Sequence, residues 1–280
     1  MPTLGLCSWS LHPSSVDELV ERVRATGLTA VQLALTPIAE GQAGWDERRT
    51  VEALRGAGIK VLSGMLATIG EDYSTLESIQ RTGGVRPDGH WTANLERAEK
   101  VAAVAQRLGL RLVTFHGGFL PHDPADISRR VMLDRLREIG AVFAERGVTV
   151  AFETGQESAA TLVGVMRELD AGPVRMGVNF DPANMILYGM GDPIDALRLL
   201  APWVKQVHVK DALPTATPGT WGRETPVGQG AVDWRAFFSL IERLLPHVDA
   251  VIEREAGEKR VDDIKGAANL VRSLYGGVRG

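Results

Sequence analysis

Three observations on the 280-residue sequence predict an α/β fold, a (β/α)8 TIM barrel. Eight short apolar runs alternate with longer segments of helical periodicity, which is typical of parallel strands joined by helical crossovers. No Gly-x-Gly-x-x-Gly turn follows the first run, which disfavours the dinucleotide-binding open sheet. The length is that of one such barrel, and no linker or low-complexity tract divides the chain. We therefore expect a single domain spanning residues 1–280.

The predicted strands are short apolar runs that end in polar residues or glycine. In the third run, apolar side chains occupy both odd and even positions, as at Val61, Leu62 and Met65. Successive side chains of a strand point to opposite faces, so both faces are expected to be buried. A closed barrel and an open parallel sheet both have this pattern. The predicted strands comprise residues 4–8, 30–35, 60–66, 111–116, 149–153, 175–181, 205–210 and 249–253.

The segments between the strands are predicted to be amphipathic helices, because their apolar residues recur three and four positions apart. Val16, Leu19 and Val23 show this spacing in the first of them. A glycine often ends a helix, because it adopts the left-handed conformation at little cost. Such a glycine precedes four of the predicted strands, at Gly27, Gly58, Gly109 and Gly147.

Two connections are too long to be simple turns, residues 67–92 and residues 212–232. Both follow the carboxyl ends of predicted strands, where barrel enzymes carry their active-site loops. The second connection is rich in glycine and proline, and we expect a loop able to close over a ligand.

Composition excludes several classes of protein. The formal net charge of -4 leaves no broad basic surface for a phosphate backbone, so we expect no nucleic-acid partner and instead a small-molecule substrate. Cys7 is the only cysteine, which rules out an internal disulfide and a thiolate metal cluster and fits a cytoplasmic location. No export signal and no run of about 18 apolar residues is found, so no membrane association is expected.

Four potential metal ligands are predicted to share the barrel interior at its carboxyl end. Side chains alternate along a barrel strand between the interior and the helix layer. In the fifth strand an outward Phe152 leaves Glu153 facing the axis, and the same alternation turns Asp181, His208 and Glu253 inward. Three carboxylates this close would repel one another without a cation.

The sequence therefore predicts one bound divalent metal ion. Carboxylates with one imidazole suit Mn²⁺, our first expectation, and also Mg²⁺, Co²⁺ or Zn²⁺. Taken singly, the residues have simpler interpretations: Asp181 before Pro182 can start a turn or cap a helix, and His208 can be a hydrogen-bonded core histidine. Glu255 has the same parity as Glu253 and is its rival as the last ligand.

Four motifs carry a resemblance to a known family: AFETG at 151–155, NFDPANMILYG at 179–189, VHVKD at 207–211 and VIERE at 251–255. With them the sequence resembles the sugar phosphate isomerase/epimerase superfamily of xylose-isomerase-like barrels. This group includes ketose 3-epimerases, inosose dehydratases, hydroxypyruvate isomerases and, more distantly, endonuclease IV. The resemblance spans essentially the whole chain and is most specific over residues 110–256.

The resemblance implies that Glu153, Asp181, His208 and Glu253 bind the metal and that Glu153 and Glu253 also transfer protons. It implies a sugar isomerase or epimerase that removes a proton next to a carbonyl and forms a metal-stabilised enediolate. A dehydratase or lyase acting on a keto-cyclitol or keto-glycoside is the alternative. An endonuclease IV-like nuclease is disfavoured, since it needs more histidines than the six present. Family members are often dimers or tetramers, so a homo-oligomer is compatible with the resemblance.

Further residues are predicted to contact the substrate. His116 ends the fourth strand, where the family often has a histidine that approaches substrate or metal; a structural hydrogen bond is the alternative. Lys210 shares the inward parity of His208, although it can equally pair with Asp211 at the surface. Arg223 suits an acidic substituent, but loop arginines are usually solvated. Predicted contacts also include Asn184 in the second motif and Trp9, with His12 and Trp91 as further candidate walls.

Overall fold

The computed structural model describes residues 2–172, 174–217 and 219–276, and the remaining positions of the predicted 1–280 domain lie outside the described residues. Eight parallel strands close into a barrel in which neighbouring strands follow one another in chain order and the last strand pairs with the first. The predicted (β/α)8 TIM barrel is confirmed. The barrel strands are β1 Leu4–Cys7, β2 Ala30–Ala34, β3 Lys60–Met65, β4 Leu112–Phe115, β5 Thr149–Glu153, β6 Gly177–Phe180, β7 Val204–Val209 and β10 Asp249–Ile252.

Helices surround the barrel and bury their apolar faces against it. In the first helix, Ser15 accepts a hydrogen bond from the Glu18 amide at the amino end, and Gly27 ends the helix with φ 77°. The four predicted helix-ending glycines all have positive φ. The helices are α1 Val16–Thr26, α2 Thr36–Ala39, α3 Glu47–Gly56, α4 Leu76–Thr82, α5 Asp88–Arg107, α6 Ile127–Ala144, α7 Ala159–Asp170, α8 Pro182–Leu187, α9 Pro193–Leu200, α10 Trp234–Leu244 and α11 Arg260–Leu274. No helix among the described residues is both long and apolar enough to span a membrane.

The two long connections are more ordered than their composition suggests. Residues 67–92 contain α4 and the first turn of α5. Residues 212–232 contain most of a hairpin, because β8 Asp211–Leu213 and β9 Arg223–Thr225 pair antiparallel there. The cause is Asp211, which accepts hydrogen bonds from the backbone amides of Ala212, Gly228, Gly230 and Val232 and from the indole of Trp234.

A buried polar layer crosses the barrel interior below its carboxyl end. Gln32 Nε2 donates to Thr114 Oγ1 at 2.7 Å, and Ser63 Oγ donates to Gln206 Oε1 at 2.5 Å. Gln206 Nε2 in turn lies 3.3 Å from Asn179 Oδ1. All five side chains are buried, and the network provides each with a partner. This layer forms a polar floor under the next level of the barrel, where strand parity predicts the metal ligands.

Candidate metal centre and active site

The four predicted metal ligands converge at the carboxyl end of the barrel. One ligand atom from each of Glu153, Asp181, His208 and Glu253 lies within 4.8 Å of all the others. Each side chain is at least nine-tenths buried. His208 Nδ1 stands 3.6 Å from Glu153 Oε1, 3.6 Å from Asp181 Oδ2 and 3.5 Å from Glu253 Oε2. Strand register creates this convergence, since His208 pairs with Val251 in β10 and Glu153 pairs with Asn179 in β6.

Asp181 divides its two carboxylate oxygens between a helix and the cluster. Its Oδ1 accepts hydrogen bonds from the amides of Ala183 at 2.8 Å and Asn184 at 3.0 Å, and thereby caps α8. Its Oδ2 is buried and has no hydrogen-bond partner among the described residues. The helix-cap interpretation and the ligand interpretation therefore both apply to this residue. Burial raises the pKa of Asp181, as expected for a carboxylate removed from water.

His208 presents an unpartnered nitrogen to the three carboxylates. Gln32 Oε1 and the Asn179 amide each lie 2.9 Å from Nε2, and Cys7 Sγ lies 3.7 Å from it. The Gln32 oxygen can only accept and the Asn179 Nδ2 group can only donate, so the two contacts favour opposite tautomers of the neutral ring. We take the tautomer with its proton on Nε2 as the metal-binding form, because a ligating nitrogen must carry a lone pair. This leaves a lone pair on Nδ1, which is buried and lacks a hydrogen-bond partner in the described part of the chain.

These orphaned atoms fit a cation. Among the described residues, the nearest lysine or arginine nitrogen to Asp181 Oδ2 is Lys210 Nζ at 4.0 Å, which is beyond hydrogen-bond distance. A buried lone pair and a buried carboxylate oxygen without hydrogen-bond partners cost free energy, and a metal ion among the four residues would satisfy both. Burial lowers the pKa of His208, but the surrounding anionic groups outweigh burial and raise it well above its usual value. The cluster thus attracts positive charge, whether it comes from a proton or from a metal ion.

Glu153 is held by neutral and ionisable donors. Asn184 Nδ2 donates to Glu153 Oε1 at 2.7 Å, Asn179 Nδ2 lies 3.4 Å from Oε2, and His116 Nε2 lies 3.5 Å from Oε1. Burial raises the pKa of Glu153, but His208 and His116 outweigh it and hold the pKa well below its usual range. Burial lowers the pKa of His116, whereas Glu153 raises it, to a net value of about 10. Tyr73 contacts the other nitrogen of the His116 ring.

Glu253 is held by a cation and an indole. Lys210 Nζ lies 2.8 Å from Glu253 Oε2, and Trp9 Nε1 donates to Oε1 at 2.7 Å. Burial raises the pKa of Glu253, but Lys210 and His208 outweigh burial and lower it to about 2. Lys210 also pairs with Glu255, whose side chain is 54% exposed and lies outside the four-residue cluster. The geometry thus places Glu253 rather than its rival among the candidate ligands, and pairs Lys210 with these glutamates rather than with Asp211.

Two residues of the cluster, Glu153 and Glu253, line a chamber of about 420 Å³, within the usual range for small-molecule sites. Four of the five predicted substrate contacts line this chamber: Trp9, His116, Asn184 and Lys210. Trp91 lies elsewhere, 5.2 Å beneath the Arg135 guanidinium. Sequence reasoning missed lining residues that come from the long connections and from the carboxyl end of α8 rather than from strand ends, among them Glu71, Tyr73, Tyr188 and Trp221.

Arg223 does not line the chamber. The residue is exposed in β9, opposite Leu213 in β8, and its neighbour Glu224 points inward instead. Glu224 pairs with Arg254 at 2.6 Å and accepts a hydrogen bond from the Glu255 amide at 3.0 Å. Alternation along a strand explains the difference, since only one of two consecutive side chains can face the barrel mouth. The sequence feature that could have identified this part of the chamber wall is the presence of aromatic residues in the two long connections, Tyr73 and Trp221.

Comparisons with known proteins agree with this architecture. The family model described as xylose isomerase-like TIM barrel matches residues 14–274. The Escherichia coli (strain K12) protein YihM, which is uncharacterised, is 28% identical over 193 residues. That match covers 66% of this chain and 58% of YihM, so the chain spans less than two thirds of this relative.

Solved structures share the fold over nearly the whole chain. A xylose isomerase domain protein from Planctomyces limnophilus has a TM-score of 0.84 and 27% identity, covering 98% of this chain and 96% of that one. A probable 3-DHS dehydratase, AsbF of Bacillus anthracis, has a TM-score of 0.72 and 17% identity, covering 97% and 99%. An L-ribulose 3-epimerase has a TM-score of 0.72 and 16% identity, covering 98% and 94%. For the dehydratase and the epimerase, whose sequence identities are low, the similarity shows a common fold only.

Proposed function

The chain belongs to the xylose isomerase-like TIM barrel family, and from this premise we propose that it is a divalent-metal-dependent isomerase or epimerase of a small sugar-like substrate. The observation that carries the proposal is the pair of orphaned atoms, Asp181 Oδ2 and His208 Nδ1, buried beside two glutamates. Structural neighbours that include an epimerase and a dehydratase support an enzymatic role.

Glu153, Asp181, His208 and Glu253 would hold the cation. Their donor set of carboxylate oxygens and one imidazole nitrogen suits Mn²⁺ first, with Mg²⁺, Co²⁺ and Zn²⁺ as alternatives. A cation bound there would polarise a substrate carbonyl and acidify the hydrogen on the neighbouring carbon. The apolar part of the chamber wall would exclude water from this region.

Glu153 and Glu253 would move the proton. Each has one oxygen fixed by a neutral donor at 2.7 Å, Asn184 for Glu153 and Trp9 for Glu253. One carboxylate would take the proton from carbon, and the other would return a proton to the opposite face or to the adjacent carbon. The first outcome is epimerisation and the second is isomerisation. Lys210, next to Glu253, would stabilise negative charge that develops on the substrate oxygen.

Solvent exchange tests this proposal. With Mn²⁺ present, the protein should incorporate deuterium from D₂O at the carbon next to the carbonyl of a ketose, keto-cyclitol or keto-glycoside, measured by mass spectrometry. E153Q and E253Q should each lower the exchange rate by roughly 10²–10⁴-fold, the usual contribution of a general acid or base. E258Q, at an exposed position in the loop after β10, serves as the control. Unchanged exchange in E153Q would contradict the proposal.

A dehydratase is the second candidate, and His116 is the observation that favours it. Its ring lies 3.5 Å from Glu153 in the chamber wall, with its pKa raised to about 10 after the Glu153 carboxylate outweighs burial. A protonated imidazole there would donate a proton to a departing hydroxyl group. Appearance of an enone absorbance band with a keto-cyclitol or keto-glycoside, and its loss in H116F, would assign the chain to this reaction.

A further inference from the structure

A second cavity opens beside the candidate metal centre. This trough has a volume of about 450 Å³, similar to the chamber itself. Trp9 and Glu255 belong to the walls of both cavities, so the trough and the chamber are neighbours across these two side chains. A single sugar ring needs only one of these spaces. The remaining lining comes from the segments after β1 and β2 and from the start of α11: Ser8, His12, Pro13, Ala34, Pro37, Gln42, Trp45 and Arg260.

Close contacts and hydrogen bonds hold the backbone of the trough wall in place. Gly44, with φ 85°, approaches so closely that a Cβ there would lie 2.8 Å from the Ser14 carbonyl oxygen. The Gly44 carbonyl accepts a hydrogen bond from the Val16 amide, and the Trp45 amide donates to Gln42 at 3.0 Å. These contacts fix the backbone that carries Gln42 and Trp45, which line the same trough as Trp9. His12, on the near side, is the one non-glycine residue with positive φ among the described residues, which indicates a conformation set by its surroundings.

The chemistry of the trough points to an uncharged occupant. Arg260 donates hydrogen bonds to the backbone carbonyls of Ser10, Arg254, Glu255 and Gly257 and contacts His12, so most of its N–H donors are already occupied. Lys210 is already paired with two glutamates. Few N–H donors on either cation therefore remain for a phosphate or carboxylate group, and the exposed Glu255 carboxylate between the two cavities would repel one. Tryptophan and proline surfaces with Gln42 and His12 beside them suit the apolar face and the hydroxyl groups of a sugar ring.

We propose that the trough is a second sugar subsite, so that the substrate is a neutral keto-glycoside with two rings rather than a sugar phosphate. The ring bearing the carbonyl occupies the chamber, and the second ring occupies the trough against Trp45. Trp9 and Glu255 lie at the junction, where the glycosidic linkage passes. This inference rests on the proposed function, because it assumes that the chamber holds the reacting ring.

Three substrates and two variants test the subsite. The exchange assay is run with a keto-disaccharide, with the methyl keto-glycoside of the same reacting ring and with a ketose phosphate. The kcat/KM for the disaccharide should exceed that for the methyl glycoside by roughly tenfold or more, as filling an extra pocket usually does, and the phosphate should be the poorest. Q42W, which fills the trough, should reduce the disaccharide preference about tenfold. A43W adds the same bulk at the adjacent exposed residue and should leave the preference unchanged.

A binding measurement separates this inference from the proposed function. Calorimetry with the parent disaccharide, which lacks the keto group, reports on the trough without turnover. Weaker binding in Q42W but not in A43W supports the subsite even if no substrate exchanges hydrogen, an outcome that would overturn the proposed function alone. Equal kcat/KM for the one-ring and two-ring substrates, or equal effects of Q42W and A43W, would overturn the subsite. Preference for the phosphate would do the same.

Discussion

At the scale of single residues, the candidate site depends on side chains that orient others. Gln32 is the clearest case, because it sits in the polar floor and its Oε1 lies 2.9 Å from His208 Nε2. Hydrogen bonds of this kind fix the tautomer and orientation of a metal-binding histidine. No strand-end pattern marks Gln32 as functional, since it lies in the middle of β2 and its importance follows from a contact made 176 positions away.

We predict that Q32L lowers Mn²⁺ affinity by roughly 10–100-fold, the usual effect of removing such a partner, while the barrel remains folded. The leucine cannot accept the Nε2 proton, so Nδ1 is no longer held toward the carboxylates. Calorimetric titration with Mn²⁺ measures the effect. Q32E retains an acceptor and should recover most of the affinity. S63A, which changes the same polar layer at its Gln206 contact, is the control; an equal loss in S63A would show that general disruption of the layer is responsible.

At the scale of elements, Asp211 organises the segment that follows β7. Its carboxylate accepts five hydrogen bonds of 2.8 to 3.2 Å, four from backbone amides and one from the Trp234 indole. Gly230 approaches so closely that a Cβ would lie 2.0 Å from Asp211 Oδ1. A composition rich in glycine and proline predicted a loop able to close over a ligand here. The buried carboxylate organises the segment around the β8–β9 hairpin, which carries Glu224 and leads to Trp221 in the chamber wall.

We predict that D211N destabilises the protein by roughly 2–4 kcal/mol, because an amide nitrogen replaces one accepting oxygen and faces N–H donors. Hydrogen exchange should accelerate mainly over residues 211–234, and urea unfolding would give the free-energy change. D233N provides a matched comparison: Asp233 accepts one bond at the start of α10, and asparagine caps helices about as well. A D211N protein as stable as D233N would contradict this account of the hairpin.

At the scale of the whole molecule, one buried acid makes the stability of the fold depend on pH. Glu157, between β5 and α7, is 4% exposed and forms no ion pair among the described residues. Burial raises its pKa from 4.5 to about 8, with a hydrogen bond from the Leu120 backbone opposing the shift. The folded state therefore retains a proton that the unfolded chain releases above pH 4.5. Unfolding free energy should fall by about 1.4 kcal/mol per pH unit from there to pH 8.

We predict that E157Q removes this contribution, since glutamine resembles the neutral acid. The stability gain of E157Q over the parent should be about 1 kcal/mol at pH 5 and about 3 kcal/mol at pH 7. Urea unfolding of both proteins across this range, at constant metal concentration, measures the difference. The same exchange at exposed Glu96 should leave the pH profile of the parent unchanged. A gain for E157Q that is independent of pH would exclude Glu157 as the source.

The sequence by itself determined the barrel and the convergence of Glu153, Asp181, His208 and Glu253. Both follow from local rules: apolar runs alternate with helical periodicity, side chains alternate along strands, and the carboxyl ends of barrel strands meet at one face. These rules need no knowledge of long-range contacts. They also kept Glu255 as an alternative, because it shares the parity of Glu253.

Only the tertiary structure decided which side chains pair with one another and line the cavities at the carboxyl end of the barrel. Lys210 pairs with Glu255 and Glu253, Arg223 lies outside the chamber, and Trp9 and Trp45 line a trough beside it. These features depend on loops from distant parts of the chain that pack against one another. The positions of these loops follow from mutual burial and hydrogen bonding rather than from helical or strand periodicity. Local patterns in the sequence therefore do not predict them.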